Sequence, residues 1–396
     1  MSRVTQRRMV LTGNHASAYA VLQARVDIVS AYPITPQTTI VEKLDEYIEN
    51  GLLDAKMIRV ESEHSAMGAA IGASMAGART YTATSSHGLL YMYENLWWAA
   101  NARLPIVATF VTRAIGPPWN IWSDHQDIFT LRDTGWILFM AKDCQEVYDL
   151  TIQAFKIAED PSVRLPVGVG YDGFLISHTS EPLDTLLQED VDRFLPDKSR
   201  IKPLIDPDNP VSIGNLPQAE YNYILRKNMW DSMVSSIDVI RRVGREYGEI
   251  SGRDYSRLLD HYKCRDADTV FVSMGAMAGE GISAVEYLRD KGFSVGHISF
   301  RLVRPFPRDE FISSIDGVDR IIIFSRAYTC GKSGILYDEI ASELYRRGME
   351  VEVYDVVAGL TGAEVSMGDF IKVYMDIRDG SIKPGETIFI LGGRYV

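Results

Sequence analysis

The strongest constraint on this chain is a rhythm. Short apolar, β-branched runs at Val26–Ala31, Met57–Val60, Thr80–Ser85, Ile106–Thr112, Trp136–Ala141 and Leu165–Tyr171 alternate with stretches of helical spacing. Such runs suit strands, and this alternation predicts a doubly wound parallel sheet of the α/β class. Ligands of such sheets bind outside the carboxyl ends of the strands, where helix N-termini and loop side chains converge. Three of those ends are polar: Tyr32-Pro33-Ile34-Thr35-Pro36, Glu61-Ser62-Glu63-His64, and the stretch from Thr112-Arg113 to Pro118-Trp119. Thr35, Glu63 and Arg113 are therefore expected in one shared site.

Local chemistry offers plainer roles for the same residues. Thr35-Pro36 reads as a helix start, with threonine as N-cap and proline at the first helical position, and Asn50-Gly51 as its end. Glu61 and Glu63 lie near the start of the next helix, where a carboxylate gains about 0.3–1 kcal/mol from the helix dipole. That helix is crowded with small residues and is expected to be buried. Glycine costs about 1 kcal/mol against alanine inside a helix, so Gly68 and Gly72 imply a close approach by another backbone or a ligand. Ser86-His87-Gly88 closes the third strand. Pro117-Pro118 forces an extended loop whose Trp119 and Trp122 are either core residues or part of a pocket or interface. Asp124-His125-Gln126-Asp127 reads as a polar loop in preference to a metal site, and a loop aspartate is the alternative partner for Arg113.

Six prolines between Pro182 and Pro217 mark a long connection, followed by a helix with apolar Leu225, Met229, Met233, Ile237, Ile240 and Val243. Alternation then resumes from Thr269 to Val357 as a second, smaller α/β unit. The division expected is 1–195, a linker with a helix at 196–262, and 263–396. Gly275 to Gly281 has the wrong spacing for a dinucleotide turn, and Gly331-Lys332-Ser333 lacks the earlier glycine of a phosphate loop, where Arg326 stands. Both read as strand-to-helix turns.

The formal net charge of -12 argues against nucleic acid or an anionic membrane as partner. No apolar run is long enough to span a bilayer, and the run after Arg7-Arg8 is too short for a signal peptide, so a cytoplasmic location is expected. Cys144, Cys264 and Cys330 are too few and too scattered for a disulfide framework or an iron–sulfur set.

Several stretches then resemble one family. Ala31 to Ile40 (Ala-Tyr-Pro-Ile-Thr-Pro-Gln-Thr-Thr-Ile), Val60 to Met67 (Val-Glu-Ser-Glu-His-Ser-Ala-Met), Ala83 to Leu89, Arg113-Ala114-Ile115, Asp124 to Asp127, Arg132 to Trp136 and Arg304-Pro305-Phe306-Pro307 are similar to the α subunit of the 2-oxoacid:ferredoxin oxidoreductases, typified by pyruvate:ferredoxin oxidoreductase. The resemblance spans nearly the whole chain. It implies a pyrimidine-binding domain of a thiamine-diphosphate enzyme followed by a transketolase-C-like domain. The implied reaction converts a 2-oxoacid and coenzyme A to acyl-CoA and carbon dioxide, with electrons passed to ferredoxin. The implied cofactor is thiamine diphosphate shared with a β subunit, which holds the diphosphate, its Mg2+ and a proximal cluster. Further iron–sulfur clusters belong to γ and δ subunits or their equivalents.

Thiamine acts once its thiazolium carbon loses a proton, and a carboxyl group on the pyrimidine ring nitrogen promotes this. Burial lets such a group share a proton. By resemblance Glu63 is that residue, with Glu61 as fallback, while Thr35 and Arg113 bind substrate through a hydroxyl and charge-assisted hydrogen bonds. Thr35, Ser86, His87 and Gly88 are expected to line the cofactor beside Glu63, and no metal ligand is expected here. His87, where glutamine is frequent, and Pro117-Pro118-Trp119 depart from the common pattern. Pyruvate is the expected substrate, with a branched-chain 2-oxoacid such as 2-oxoisovalerate as the alternative. A noncatalytic assembly subunit and a nicotinamide-dependent dehydrogenase are the competing classes; the joint presence of Thr35, Glu63 and Arg113 argues against the first, and the missing Gly-x-Gly-x-x-Gly turn against the second.

Overall fold

The computed structural model describes residues 6–198 and 201–396. Residues 1–5, part of the N-terminal reading, and 199–200, within the proline-rich connection, lie outside the described residues. The first half contributes β1 (Gln6–Thr12), β2 (Ile28–Ala31), β3 (Lys56–Arg59), β4 (Thr80–Thr84), β5 (Val107–Thr112), β6 (Ile137–Met140), β7 (Val167–Asp172) and β8 (Ser180–Leu186). The second contributes β9 (Leu259–Tyr262), β10 (Thr269–Met274), β11 (Val295–Phe300), β12 (Leu302–Arg304), β13 (Arg320–Ser325), β14 (Tyr328–Thr329), β15 (Ser333–Gly334), β16 (Glu352–Ala358), β17 (Thr387–Leu391) and β18 (Arg394–Tyr395).

The first sheet has the order β12-β6-β7-β5-β4-β2-β3. Every pairing is parallel except that of β12 with β6. Every residue of β4, β5 and β7 is buried, as expected of parallel strands covered on both faces. The second sheet has the order β18-β17-β16-β13-β10-β11-β9, with antiparallel strands only at its two edges. This is the α/β architecture expected of the chain.

Helices 13–23 and 144–158 pack on one face of the first sheet, together with the second half of helix 219–251, through Val21, Tyr148 and Val243. Helices 63–75 and 93–101 cover the other face. There a single apolar cluster joins Leu96, Phe110 and Trp136 to Val272 and Ile323 of the second sheet, so the two sheets share a core. Trp136 is fully buried, and its Nε1 donates to Leu96 O at 2.9 Å, which satisfies the one polar atom of the ring.

The structure departs from the sequence reading at several points. Helix 38–49 has Gln37 as its N-cap, not Thr35. Gln37 N donates to Ile34 O, and Ile40 N to Gln37 O, so a separate turn at 34–37 precedes the helix. Helix 63–75 is buried on one side only: Gly68 and Gly72 are exposed, and among the described residues a Cβ at Gly72 would touch nothing and one at Gly68 would meet only Asn95 at 3.8 Å. Trp119 and Trp122 are about half-exposed, not core residues. Gly331 lies in the β14–β15 hairpin, whereas Gly275, with φ of +65°, does make a strand-to-helix turn. The antiparallel β1–β8 ribbon and the insertion of β12 had no counterpart in the sequence reading.

Candidate functional site at the carboxyl edge of the first sheet

The site forms where β2, β4 and β5 end and helix 63–75 begins. Ser62 caps that helix by accepting from Ser65 N at 3.2 Å, which fixes Glu63 as its first residue. Glu63 is only 6% exposed and lies against the backbone of Gly88. A Cβ at position 88 would sit 2.4 Å from Glu63 Oε1 and 2.6 Å from Thr84 Oγ1, so only glycine leaves room for the carboxylate. Among the described residues no donor hydrogen-bonds that carboxylate, and Thr84 Oγ1 is buried without a partner. A buried acceptor without a donor is costly unless a ligand supplies one.

Arg113 follows β5 and is 4% exposed. Its Nη1 donates to Thr35 O at 2.7 Å and its Nη2 to His87 Nδ1 at 3.1 Å, while Nε has no partner among the described residues. A guanidinium can only donate, so His87 Nδ1 is the acceptor and the imidazole proton is on Nε2. Nε2 then donates to Gly116 O at 2.9 Å. The Trp119 ring lies over the guanidinium at 4.7 Å and meets His87 edge-on at 5.5 Å. Burial lowers the proton affinity of Arg113, opposed by the charges of Asp127 and Glu63. Among the described residues no carboxylate forms an ion pair with the group. A buried cation with an idle Nε is suited to a carboxylate ligand.

Asp127 ties these pieces together. Its Oδ2 accepts from Ser86 N at 2.9 Å and Arg113 N at 3.0 Å, and its Oδ1 from Ile128 N at 2.7 Å. One carboxylate therefore joins the ends of β4 and β5. Ser86, held at φ of +46°, donates its hydroxyl to Ala114 O at 2.7 Å across the same gap. The alternative reading, in which a loop aspartate neutralises Arg113, is not met by Asp127, which binds the Arg113 backbone instead.

A second buried hub joins the two sheets. Asp172 at the end of β7 accepts from Ser123 Oγ at 2.9 Å and Ala276 N at 2.8 Å, lies 2.9 Å from His125 Nε2, and is ion-paired with Arg326 at 3.2 Å. Burial pushes its carboxyl up, but the His125 and Arg326 charges and these hydrogen bonds hold it well below the usual carboxylate range.

Of the residues singled out from the sequence, Glu63, Arg113, His87, Gly88 and Ser86 converge. Thr35 joins through its backbone carbonyl while its side chain is exposed, and Glu61 faces solvent, accepting from Ser65 Oγ. Asp127 and Trp119 were not assigned these contacts from the sequence. The signal for Asp127 was a carboxylate directly before apolar Ile128-Phe129, which a solvated loop does not explain. Among the described residues, no cluster of three or more His, Cys, Asp or Glu could hold a metal ion.

The family described as "Pyruvate flavodoxin/ferredoxin oxidoreductase, thiamine diP-bdg" matches residues 19–244, and "Pyruvate:ferredoxin oxidoreductase core domain II" matches 267–370. The chain is 44% identical to the ketoisovalerate oxidoreductase subunit VorA of Pyrococcus abyssi over 94% of its length and 93% of that protein. It is 40% identical to the pyruvate synthase subunit PorA of Methanothermobacter thermautotrophicus over 90% of its length and 92% of that protein. A solved 2-oxoglutarate:ferredoxin oxidoreductase from Magnetococcus marinus superposes with a TM-score of 0.73 at 19% identity, over 93% of this chain, which spans 65% of that one. A split-gene transketolase superposes with a TM-score of 0.54 at 12% identity, over 92% of this chain and 93% of that one; these two likenesses concern the fold. By sequence, the chain belongs to the thiamine-diphosphate-binding pyruvate flavodoxin/ferredoxin oxidoreductase family, among oxidoreductase subunits that act within multi-subunit complexes.

Proposed function

We propose that the chain is the α-type subunit of a 2-oxoacid:ferredoxin oxidoreductase that converts pyruvate and coenzyme A to acetyl-CoA and carbon dioxide, reversibly, passing electrons to ferredoxin. The observation that carries this reading is the pairing, in one crevice, of a buried carboxylate, Glu63, and a buried guanidinium, Arg113, the first without a donor and the second without a carboxylate partner among the described residues. Thiamine diphosphate, when bound, supplies the carbon nucleophile and the electron sink for decarboxylation. Glu63 would share a proton with its pyrimidine nitrogen, in the space that Gly88 leaves open. Arg113 would bind the substrate carboxylate, with its plane set by His87, Thr35 O and Trp119. Ser86 would line the cofactor at the end of β4.

Helix 63–75 turns Glu63 inward toward the crevice and leaves its small residues Gly68 and Gly72 exposed on the opposite side, which offers room for a β subunit to pack there. The proposal assigns the diphosphate, Mg2+ and a proximal cluster to that subunit, and the remaining clusters to γ and δ subunits or their equivalents. Among the described residues no helix is long and apolar enough to cross a membrane, and we place the complex in the cytoplasm.

A second reading, with 2-oxoisovalerate as substrate, is favoured by the 43–44% identity to ketoisovalerate subunits against 38–41% to pyruvate subunits, and by the apolar wall that Trp119 places beside Arg113. The deciding experiment is coenzyme-A-dependent dye reduction by the intact complex, with pyruvate and 2-oxoisovalerate, in the parent and in Glu63→Gln. Faster turnover of pyruvate, abolished by the substitution, supports the first reading. A preference for 2-oxoisovalerate selects the second, and full activity in Glu63→Gln removes Glu63 from its role.

A further inference from the structure

The loop from Gly116 to Asp124 follows a strand of the first sheet, yet its far half is fastened to the second. Asn120 Nδ2 donates to Thr361 O at 2.9 Å, while Asn120 Oδ1 accepts from Trp122 N at 3.0 Å. Thr361 N donates to Asp124 Oδ2 at 3.3 Å. Beyond the loop, His125 N donates to Arg326 O at 2.9 Å, and the Gln126 amide engages both backbone groups of Tyr328 at 3.1 Å. Trp122 rests on Gly362, where a Cβ would come within 2.2 Å of Trp122 Cβ, and its ring meets Phe174 at 4.7 Å.

The turn that receives the loop is conformationally committed. Gly359, Thr361 and Gly362 have φ of +74°, +53° and +79°. A β-branched residue in the left-handed region is an outlier that persists only where its surroundings over-determine it. Here both backbone groups of Thr361 are taken up by the loop. At the loop's near half, Trp119 is 50% exposed, so burial alone does not set its pose over Arg113 and His87. Its chain neighbour Asn120 is the point of attachment.

We propose that turn 359–362 is a positioning element for the substrate end of the site: through Asn120 it sets the pose of Trp119 over Arg113, and so selects the side chain of the 2-oxoacid admitted. This rests on the 2-oxoacid reading above. Trp119 determines specificity by bounding the space beside the guanidinium, and Asn120 and the turn act through it.

The test measures kcat and KM for pyruvate and for 2-oxoisovalerate with the intact complex, in the parent, Asn120→Ala, Trp119→Ala and the double variant. Asn120→Ala is expected to shift the ratio of the two kcat/KM values about fivefold or more, chiefly through KM and in the direction of Trp119→Ala. In the Trp119→Ala background it is expected to add less than about twofold, because residues that act as a unit are not additive. A merely structural Asn120 would lower the yield of folded complex and leave the ratio unchanged, and either that result or full additivity overturns the proposal. Gly362→Ala displaces Trp122 from the other side and is expected to shift the ratio likewise. If Asn120→Ala fails to assemble, an unchanged ratio in Gly362→Ala overturns the proposal by itself. A parent complex that turns over no 2-oxoacid overturns the function and this inference together. An unchanged ratio in an active complex that Glu63→Gln silences overturns the inference alone.

Discussion

Removing the Asp127 carboxylate should loosen the site from beneath. In Asp127→Ala the amides of Ser86, Arg113 and Ile128 lose their acceptor inside the protein. Each buried donor left unsatisfied costs about 1–3 kcal/mol, and three cost roughly 3–6 kcal/mol if water enters the vacated space and relieves part of the loss. Asp127→Asn can keep one oxygen on Ser86 and Arg113 while turning its NH2 toward Ile128 N, for about 1–3 kcal/mol. The two variants also separate by pH. Burial, helped by the charge of Asp124 and opposed by the three amides, pushes the Asp127 carboxyl from an ordinary 3.8 up to about 8. A raised folded-state pKa means that the native chain holds this proton more tightly than the unfolded chain. The stabilisation is therefore complete below about pH 4 and is lost as pH rises toward 8. Asparagine has no such proton, so the parent's advantage over Asp127→Asn should fall between about pH 4 and 8, by up to ~1.4 kcal/mol per unit, reverse in sign before the top of that range, and then level off. Urea unfolding of the purified chain, followed by tryptophan emission at several pH values, reads both effects. A gap that stays constant from pH 5 to 9, or an alanine variant within about 1 kcal/mol of the parent at pH 5 or below, would refute the reasoning.

Gly88→Ala places a methyl group 2.4 Å from Glu63 Oε1; the carboxylate must turn away, and turnover by the complex should fall about 10²-fold or more while the unfolding midpoint of the chain barely moves. Gly275→Ala combines a positive φ of +65° with a Cβ 2.3 Å from Asp172 Oδ2. It should cost the chain roughly 2–4 kcal/mol in urea unfolding, and a cost near zero would mean that the Asp172 hub yields easily. Arg113→Lys keeps the charge but cannot reach Thr35 O and His87 Nδ1 together or stack as flatly on Trp119. KM for the 2-oxoacid should rise about 10- to 100-fold, with a smaller fall in kcat, and an unchanged KM would remove Arg113 from substrate binding.

The parallel strands of the first sheet, and β10, β11, β13 and β16 of the second, were legible because each is a short run rich in apolar and β-branched residues, the pattern that burial on both faces demands, whereas β9, β17 and β18 had no counterpart in the sequence reading. The polar carboxyl ends of the first sheet's strands pointed to the crevice for the same reason. What the sequence hid depends on partners far along the chain. β1 carries Arg7 and Arg8 on a half-exposed ribbon, so no apolar alternation marks it, and β12 is only three residues long. The Thr35-Pro36 signal for a helix start was outweighed by the turn at 34–37, whose Gln37 side chain accepts from Ile34 N and donates to Ala83 O. The glycines of helix 63–75 suggested a close neighbour, and among the described residues no neighbour reaches Gly72. Asp127 sits in a stretch that composition alone reads as solvated, and only the approach of two strand ends gives its carboxylate something to bind.

The pairing of β12 with β6 also bears on how the chain is made. Leu302 pairs with Phe139 and Arg304 with Leu138, so the rim of the first sheet is finished by a segment synthesised roughly 160 residues later. At ~5–20 residues per second that delay is on the order of ten to thirty seconds, during which the β6 edge stands open on the nascent chain. An open edge is a template for pairing with other strands. Truncating the chain before Leu302 should therefore yield an aggregating fragment rather than a free-standing first half, and the second half acts, for that interval, as the missing guard of the first.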